Sequence, residues 1–488
     1  MSEKFYITTT LPYVNAPPHI GFALEMVQAD AVARFERLEG KEVVFNTGTD
    51  EHGSKIYQKA LEEGKEPQAY ADEYAPRFDR LREALDLSYT HFIRTTDPHH
   101  LLAAQEFWQR CDRNGDIYKA AYRMKYCVGC ELEKTDSELV DGRCPIHPNL
   151  VLEEREEENY FFRFSKYGPA LLELYGKYPD FVLPENRLTE IRNFVAAGLK
   201  DFSISRLKEK MPWGVPVPGD PDHVMYVWFD ALVNYISTLG WPEKEDDFRA
   251  FWGTPEEPRA LQIAGKDNLR QQSAMWQAML LSAGLPTSRR ILIHGFVTSG
   301  GEKMSKSRGN VVDPFELAER YGTDAVRYWL LREMPAFEDG DFTVDKFEER
   351  YAGDLSNGLG NFASRTTALV KEPLVLSERR LDAEVESKIG ETREKLRKSI
   401  AKFNFNEALA DVQALVKFGD EYVNRKKPWE TGDQDAIYGL VVLLDNLGAL
   451  LQPFLPGTAR KITGSISHQD GRLAVTRMKA LFPRLPNK

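Results

Sequence analysis

Lys303, Lys306 and Arg308 stand within six positions of one another, spaced mainly by serine and preceded by the turn-forming pair Gly300-Gly301. Three cations so placed do not enter a buried element. They suit a loop that closes over a polyanion such as a triphosphate, the lysines as compact point charges and the arginine as a fork. By charge alone the same stretch also reads as an ordinary solvated basic turn. A second group is Cys127, Cys130, Cys144 and His147, two C-x2-ligand knuckles that supply three thiolates and an imidazole. That donor set suits zinc, and four protein ligands leave no open position, so one structural Zn2+ is expected. Cys111 lies outside the set and reads as a core residue. The third feature is His19, placed after a Pro-rich turn (Leu11–Pro18) and just before the periodic run Ile20–Leu38. There the imidazole joins the N–H groups of a helix start, where anions bind.

The elements that must position these groups alternate between strand and helix. Phe5–Thr10 (FYITTT) reads as a buried strand and Val43–Asn46 as a second, which runs into the polar turn Gly48-Thr49-Asp50-Glu51-His52-Gly53. Thr90–Thr95, Val224–Phe229, Ala260–Ala264 and Ile291–Ile293 continue the strand series, with helical patterns between them. The alternation predicts an α/β fold, a doubly wound parallel sheet with ligands at the carboxyl ends of its strands. There is no G-x-G-x-x-G after the first strand, so no dinucleotide is indicated. After Asp313 no strand pattern survives. Pro314–Tyr321 and Ala325–Met334 read as linking helices. Asp345–Lys371, Glu384–Lys402, Asn406–Arg425 and Ala436–Leu451 read as an amphipathic bundle.

With 488 residues the chain predicts about three domains. A net charge of −11 excludes a generically basic nucleic-acid binder, so any RNA contact must rest on local patches. Four cysteines, three of them clustered, argue for a metal rather than disulfides. MSEKFYITTT has no signal-peptide core, and the apolar stretch Leu440–Leu455 is broken by Asp445, Asn446 and Pro453. A cytoplasmic protein without a membrane span is expected.

Lys303-Met304-Ser305-Lys306-Ser307, followed by Arg308-Gly309-Asn310, resembles the signature loop of class I aminoacyl-tRNA synthetases, and Pro18-His19-Ile20-Gly21 resembles the first half of their other signature. Leu11-Pro12-Tyr13, Gly48–Gly53, Tyr226–Ala231, Asn361–Arg365 and Asn424–Trp429 resemble the methionyl-tRNA synthetases in particular. The strings follow the family's order across nearly the whole chain. Two positions depart from it: Phe22 stands where the family usually has a second histidine, and Gln271-Gln272 where many members have Phe-His. Another class I synthetase, for leucine, isoleucine, valine or cysteine, would share the phosphate motifs but is not expected to share the Tyr226–Ala231 or Lys427–Trp429 strings. A catalytically impaired RNA-binding paralogue is the alternative that Phe22 raises.

The resemblance implies a ligase that activates L-methionine with ATP and transfers it to tRNA(Met). His19, Lys306 and Lys303 are then the catalytic contacts to the phosphates. Glu25, Gly265, Asp267, Val297 and Arg308 hold ATP, which brings Mg2+. Asp50 is the candidate for the substrate ammonium. Leu11, Tyr13, Trp228, Ala231 and Tyr235 form an apolar sleeve for the thioether, with Gln272 as a polar floor. As bare residues, Trp228 and Tyr235 also read as core aromatics. Asn361, Arg365, Asn424, Pro428 and Trp429 are the anticodon readers, with Trp429 a surface on which an unpaired base stacks. Without that context Lys-Lys-Pro-Trp reads as a solvated helix end with a packed Trp. The expected organisation is a Rossmann-like catalytic domain in two halves, 1–115 and 223–310. A zinc-bearing connective insertion occupies 116–222, a linking segment 311–344 and a helical anticodon-binding domain 345–488. The lack of a further C-terminal module leads to the expectation of a monomer.

Overall fold

The computed structural model describes residues 2–130, 132–134, 139–304 and 310–485. Contacts divide the chain into two units. One comprises residues 1–18, 41–80 and 89–293, the other residues 19–40, 81–88 and 294–488.

The first unit is built on a six-stranded sheet of β1 (Lys4–Thr9), β2 (Glu42–Thr49), β3 (His91–Arg94), β4 (Val182–Leu183), β5 (Leu261–Gly265) and β6 (Arg290–His294), in the order β3-β2-β1-β5-β6-β4. The pairs β1–β2, β2–β3, β1–β5 and β6–β4 are parallel. Every residue of β5 is buried, as expected of a strand covered on both faces. At Gly48 a Cβ would lie 1.7 Å from the Ile93 carbonyl oxygen, so only glycine lets β2 and β3 approach there. The core beneath the sheet is aromatic: Phe107 stacks on Trp276 at 5.5 Å and meets Phe229 edge-on at 5.8 Å. Cys111 is fully buried in it, and burial pushes its thiol up to about 12, which makes it an inert core residue as the sequence suggested. The segment after helix Pro98–Arg113 forms an antiparallel sheet around Ile117–Cys127 and Glu153–Phe162.

The second unit opens with helix Ile20–Leu38 and continues with helices Pro314–Tyr321, Thr323–Arg332, Ala383–Ala401, Phe405–Lys426, Gln434–Leu451 and Pro456–Gly464. Phe405–Lys426 buries Phe405, Leu409, Val412, Val416, Gly419 and Val423, the three-or-four spacing of one face. Gln434–Leu451 is long and apolar enough by length and composition to cross a membrane, yet 61% of it is buried within the chain. Arg327 is fully buried. It pairs with Asp30 at 2.8 Å and donates to the carbonyls of Leu85, Pro453 and Phe454, so one guanidinium ties four segments. Phe482 and the Pro483 carbonyl pack against Tyr351, returning the tail to the body.

Three expectations fail locally. The strand over Val224–Phe229 ends at Met225, and Val227–Ala231 is helical, because Asp230 must turn inward to bonds described below. Strands do occur after Asp313, at Gly340–Phe342, Leu374–Val375, Ile466–Gln469 and Arg472–Val475. They are too short for periodicity to reveal. Asp345–Lys371 is not one regular helix. It runs as Val344–Arg350, a π-helical stretch Tyr351–Gly360 holding Gly353, Gly358 and Gly360, and Asn361–Leu369.

Candidate active site and RNA-reading surface

The loop after β1 is locked to the end of β2. Tyr13 and Asp50 form a parallel bridge, Asp50 N donates to Pro12 O at 2.9 Å and Val14 N to Asp50 O at 3.3 Å. Asp50 is thus held, 3% exposed, beside Tyr13, whose ring meets Trp228 edge-on at 6.4 Å. Leu11 is half-buried at the start of the same loop. Ala231 is buried, and its carbonyl accepts from Asn234 at 2.6 Å. Tyr235 is buried beneath. Its hydroxyl accepts from Gln272 Nε2 at 2.7 Å, and Gln272 Oε1 in turn accepts from Gln262 at 3.2 Å. Gln272 therefore has its amide orientation fixed and presents a neutral donor to Tyr235. The Trp228 indole N–H has no partner among the described residues. This set holds one buried and two half-buried aromatics and one carboxylate, the composition of a pocket for a small apolar amino acid.

Two networks that sequence reasoning missed brace this set. Glu51 forms a two-pronged ion pair with Arg94 at 2.7 and 2.8 Å and accepts from Thr49 and Thr96. Asp230, fully buried, accepts from His52 Nδ1 at 2.6 Å and His100 Nε2 at 2.8 Å. Burial by itself would raise its pKa. The facing His52 and His100 rings outweigh that and hold the carboxyl below the ordinary value. Only membership in the Gly48–Gly53 and Tyr226–Ala231 strings marked His52 and Asp230. Nothing marked His100.

Gly265 ends β5 with extended backbone, and Asp267 follows, exposed, in the short turn Lys266–Asn268 at that strand's carboxyl end. In the second unit His19 is exposed and caps helix Ile20–Leu38. Its Nδ1 accepts from Gly21 N at 3.1 Å, which places the proton of the neutral ring on Nε2, a donor suited to a phosphate oxygen. Glu25 is buried, with its carboxylate 2.9 Å from His294 Nε2. Val297 is buried in Val297–Ser299, which pairs with Gly340–Phe342 and with Glu302–Lys303. Asp341, also unmarked in the sequence, clamps this hairpin by accepting from Gly301 N at 2.7 Å and Thr298 at 2.8 Å. The Gly301 bond above all lowers its pKa. Lys306 and Arg308 lie outside the described residues.

Cys127, Cys130, Cys144 and His147 converge, their ligand atoms all within 4.8 Å of one another. Cys130 Sγ lies 3.4 Å from Cys144 Sγ and 3.2 Å from His147 Nδ1. Edges of about 3.5–3.8 Å follow from zinc–ligand bonds of about 2.0–2.3 Å in a tetrahedron, so the four donors fit the ion. A Cβ at Gly129 would lie 2.5 Å from the His147 ring, so the knuckle needs glycine there to close. Bound zinc would cross-link the two turns, with no position left for substrate.

Helix Asn361–Leu369 sets Arg365 against helix Phe405–Lys426. The guanidinium donates to Asn424 at 2.8 Å and Asp420 at 3.2 Å and stands 6.0 Å from the Trp429 ring centre. Lys427 adopts φ +43°, and this left-handed break, followed by Pro428, ends the long helix and turns Trp429 outward, 51% exposed. The tryptophan is therefore not the packed residue that the solvated-helix-end reading expects. Asn361 is exposed at the start of its helix.

A family model described as "tRNA synthetases class I (M)" matches residues 5–149 and 149–367, and one described as "Anticodon-binding domain of tRNA ligase" matches residues 382–483. A methionine–tRNA ligase of Caldanaerobacter subterraneus is 41% identical over 95% of this chain and 74% of its own length. One of Brucella suis is 42% identical over 94% and 91%. The solved structure of Mycobacterium tuberculosis methionyl-tRNA synthetase in complex with methionyl-adenylate superposes with a TM-score of 0.92. It shares 37% identity over 99% of this chain and 100% of that one. Two family models in series, relatives of this identity along nearly the full length and a matching fold leave one assignment: the chain belongs to the class I methionine–tRNA ligases.

Proposed function

We propose specific residue roles for the ligase reaction of this chain. In the first step a methionine carboxylate oxygen attacks the α-phosphorus of ATP and pyrophosphate leaves. In the second a terminal ribose hydroxyl of tRNA(Met) attacks the adenylate carbonyl, and AMP leaves. No side chain forms a covalent bond, so catalysis rests on positioning and on stabilising developing phosphate charge. Asp50 receives the ammonium. Leu11, Tyr13, Trp228, Ala231 and Tyr235 enclose the thioether, with Gln272 as an uncharged floor. His19 donates from Nε2 to a phosphate oxygen, and Lys303, Lys306 and Arg308 neutralise the departing pyrophosphate. Gly265, Asp267, Val297 and Glu25 serve the adenosine, Glu25 through its pair with His294. ATP arrives as its Mg2+ complex, the ion held mainly by phosphate oxygens. Asn361, Arg365, Asn424, Pro428 and Trp429 read the anticodon.

The observation that carries the methionine reading is the backbone lock between Tyr13 and Asp50 beside Trp228. It joins an anion to aromatic surface at a strand's carboxyl end. Methionine-dependent ATP–pyrophosphate exchange tests it, run beside leucine, isoleucine, valine and cysteine. Exchange with methionine alone is expected, and Asp50→Asn should raise the KM for methionine. Silence with every amino acid would favour the impaired RNA-binding paralogue. We also assign the domain limits 1–115, 116–222, 223–310, 311–344 and 345–488, a monomeric state and a cytoplasmic location. Sedimentation of the purified chain tests the monomer.

A further inference from the structure

Asp230 sits between two residues of the proposed thioether sleeve, Trp228 and Ala231, and its side chain is fully buried. Its two oxygens take separate partners. Oδ2 accepts from His52 Nδ1 at 2.6 Å, and His52 lies two residues beyond Asp50. Oδ1 accepts from His100 Nε2 at 2.8 Å, and the Ser237 hydroxyl lies 3.0 Å from His100 Nδ1, two residues beyond Tyr235. The His52 ring also meets Trp213 edge-on at 5.2 Å, and the Trp213 indole donates to the Glu51 carbonyl at 2.6 Å. One carboxylate therefore joins the segment that presents the ammonium partner to the segment that presents the aromatic sleeve, and helix Pro98–Arg113 braces that carboxylate through His100. The partners are 178 and 130 residues away in sequence, so no local geometry sets this spacing.

Methionine recognition needs that spacing fixed. An unbranched thioether offers shape and little else, so length is read as the distance from the ammonium site to the sleeve. We propose that Asp230 is a positioning residue for methionine: by bonding both His52 and His100 it sets the separation of Asp50 from Trp228 and so the side-chain length the pocket accepts. This deepens, and rests on, the reading of Asp50 and Trp228 as methionine contacts.

The bond geometry dictates the variants. His52 donates from Nδ1, which an asparagine Nδ2 reproduces and a glutamine does not. His100 donates from Nε2, which a glutamine reproduces. An amide at 230 offers one acceptor where two donors wait. The test is ATP–pyrophosphate exchange on the full chain, with KM measured separately for methionine and ATP and kcat/KM compared for methionine and the longer ethionine. Asp230→Asn and His52→Gln should raise the methionine KM about 10- to 100-fold, as misplacement by about 1 Å does, with the ATP KM within about threefold of wild type. The preference for methionine over ethionine should shrink in the same variants. His52→Asn and His100→Gln should stay close to wild type in both. Should Asp230→Asn fail to fold, the His52→Asn and His52→Gln pair carries the test, because the two differ in where the donor stands. Equal behaviour of that pair, or a lowered melting temperature with unchanged methionine KM and selectivity, overturns the proposal. Asp50→Asn separates the two readings. If it leaves the methionine KM unchanged, the methionine site itself is misassigned. If it raises that KM while Asp230→Asn and His52→Gln do not, the positioning role alone is wrong.

Discussion

The residues proposed to hold methionine and those proposed to hold phosphate are built on opposite plans. Asp50, Tyr235, Gln272 and Asp230 are buried, and each is held by partners far away in the sequence. His19 and Asp267 are exposed, and the His19 ring caps its own helix by accepting from Gly21 N, two residues on. The difference follows from the ligands. A thioether has no strong polar handle, so selecting it requires a rigid cavity whose walls cannot shift. A triphosphate carries its own charge and is held by donors and cations near the surface, where helix ends and flexible side chains suffice.

That contrast is sharpest in the variant with the largest expected effect. Lys306→Ala removes a cation whose proposed task is charge developing on pyrophosphate, and loss of one such group lowers kcat by about 10²- to 10³-fold. The exchange assay should show this with the methionine KM within about threefold of wild type. A large rise in the methionine KM instead would mean that the two regions are not functionally separate. Trp228→Ala is the converse. It opens one wall of the proposed sleeve and should raise the methionine KM by about 30-fold, the effect of losing an aromatic anchor worth about 2 kcal/mol. The ATP KM should hold, and a parallel rise in it would break the comparison from the other side.

The same division explains what the sequence could reveal. Features whose geometry is local were legible as strings: the histidine before a helix, the cysteine knuckles, the Lys-Lys-Pro-Trp turn. The strands β1 and β5 and the linking helices were legible from composition and period. The buried braces were not. His100 looks like any residue in the first turn of a helix, and its partner is Asp230, 130 residues later. Asp341 looks like a loop residue until it is seen holding Gly301. Tertiary bonds also redirected local propensity at Tyr226–Asp230, where a β-rich string turns helical so that one carboxylate can reach two imidazoles. Departures from family pattern were visible as letters, but their consequences became readable only with the Gln272 amide placed between Tyr235 and Gln262.

Trp429, the proposed base-stacking residue, follows the exposed plan. Its ring is half exposed beside Arg365 and makes no part of the core, so Trp429→Ala should leave methionine-dependent exchange and the melting temperature unchanged. The KM for tRNA(Met) in aminoacylation should rise about 5- to 100-fold, since stacking of one base contributes about 1–3 kcal/mol. An unaltered KM for tRNA would remove Trp429 from the anticodon surface.

The smallest effect comes from the methionine side, at Gln272. The amide donates to the Tyr235 hydroxyl and accepts from Gln262, and it does not titrate. An imidazole at that buried position would also donate to Tyr235 while neutral, so Gln272→His should change the methionine KM by no more than a few-fold at pH 8. Below about pH 6.5 the ring tends to gain a proton, and burial resists that charge. The sign follows: burial keeps the ring neutral from pH 8 down to about 6.5, and the variant should lose methionine affinity only as the pH falls below about 6, when the cost of a buried cation enters, while the wild type keeps its affinity from pH 8 to 5. Measuring the methionine KM of both proteins across that range decides it. A wild-type KM that rises in step with the variant's would place the titrating group elsewhere in the pocket and show that the amide does not confer pH independence.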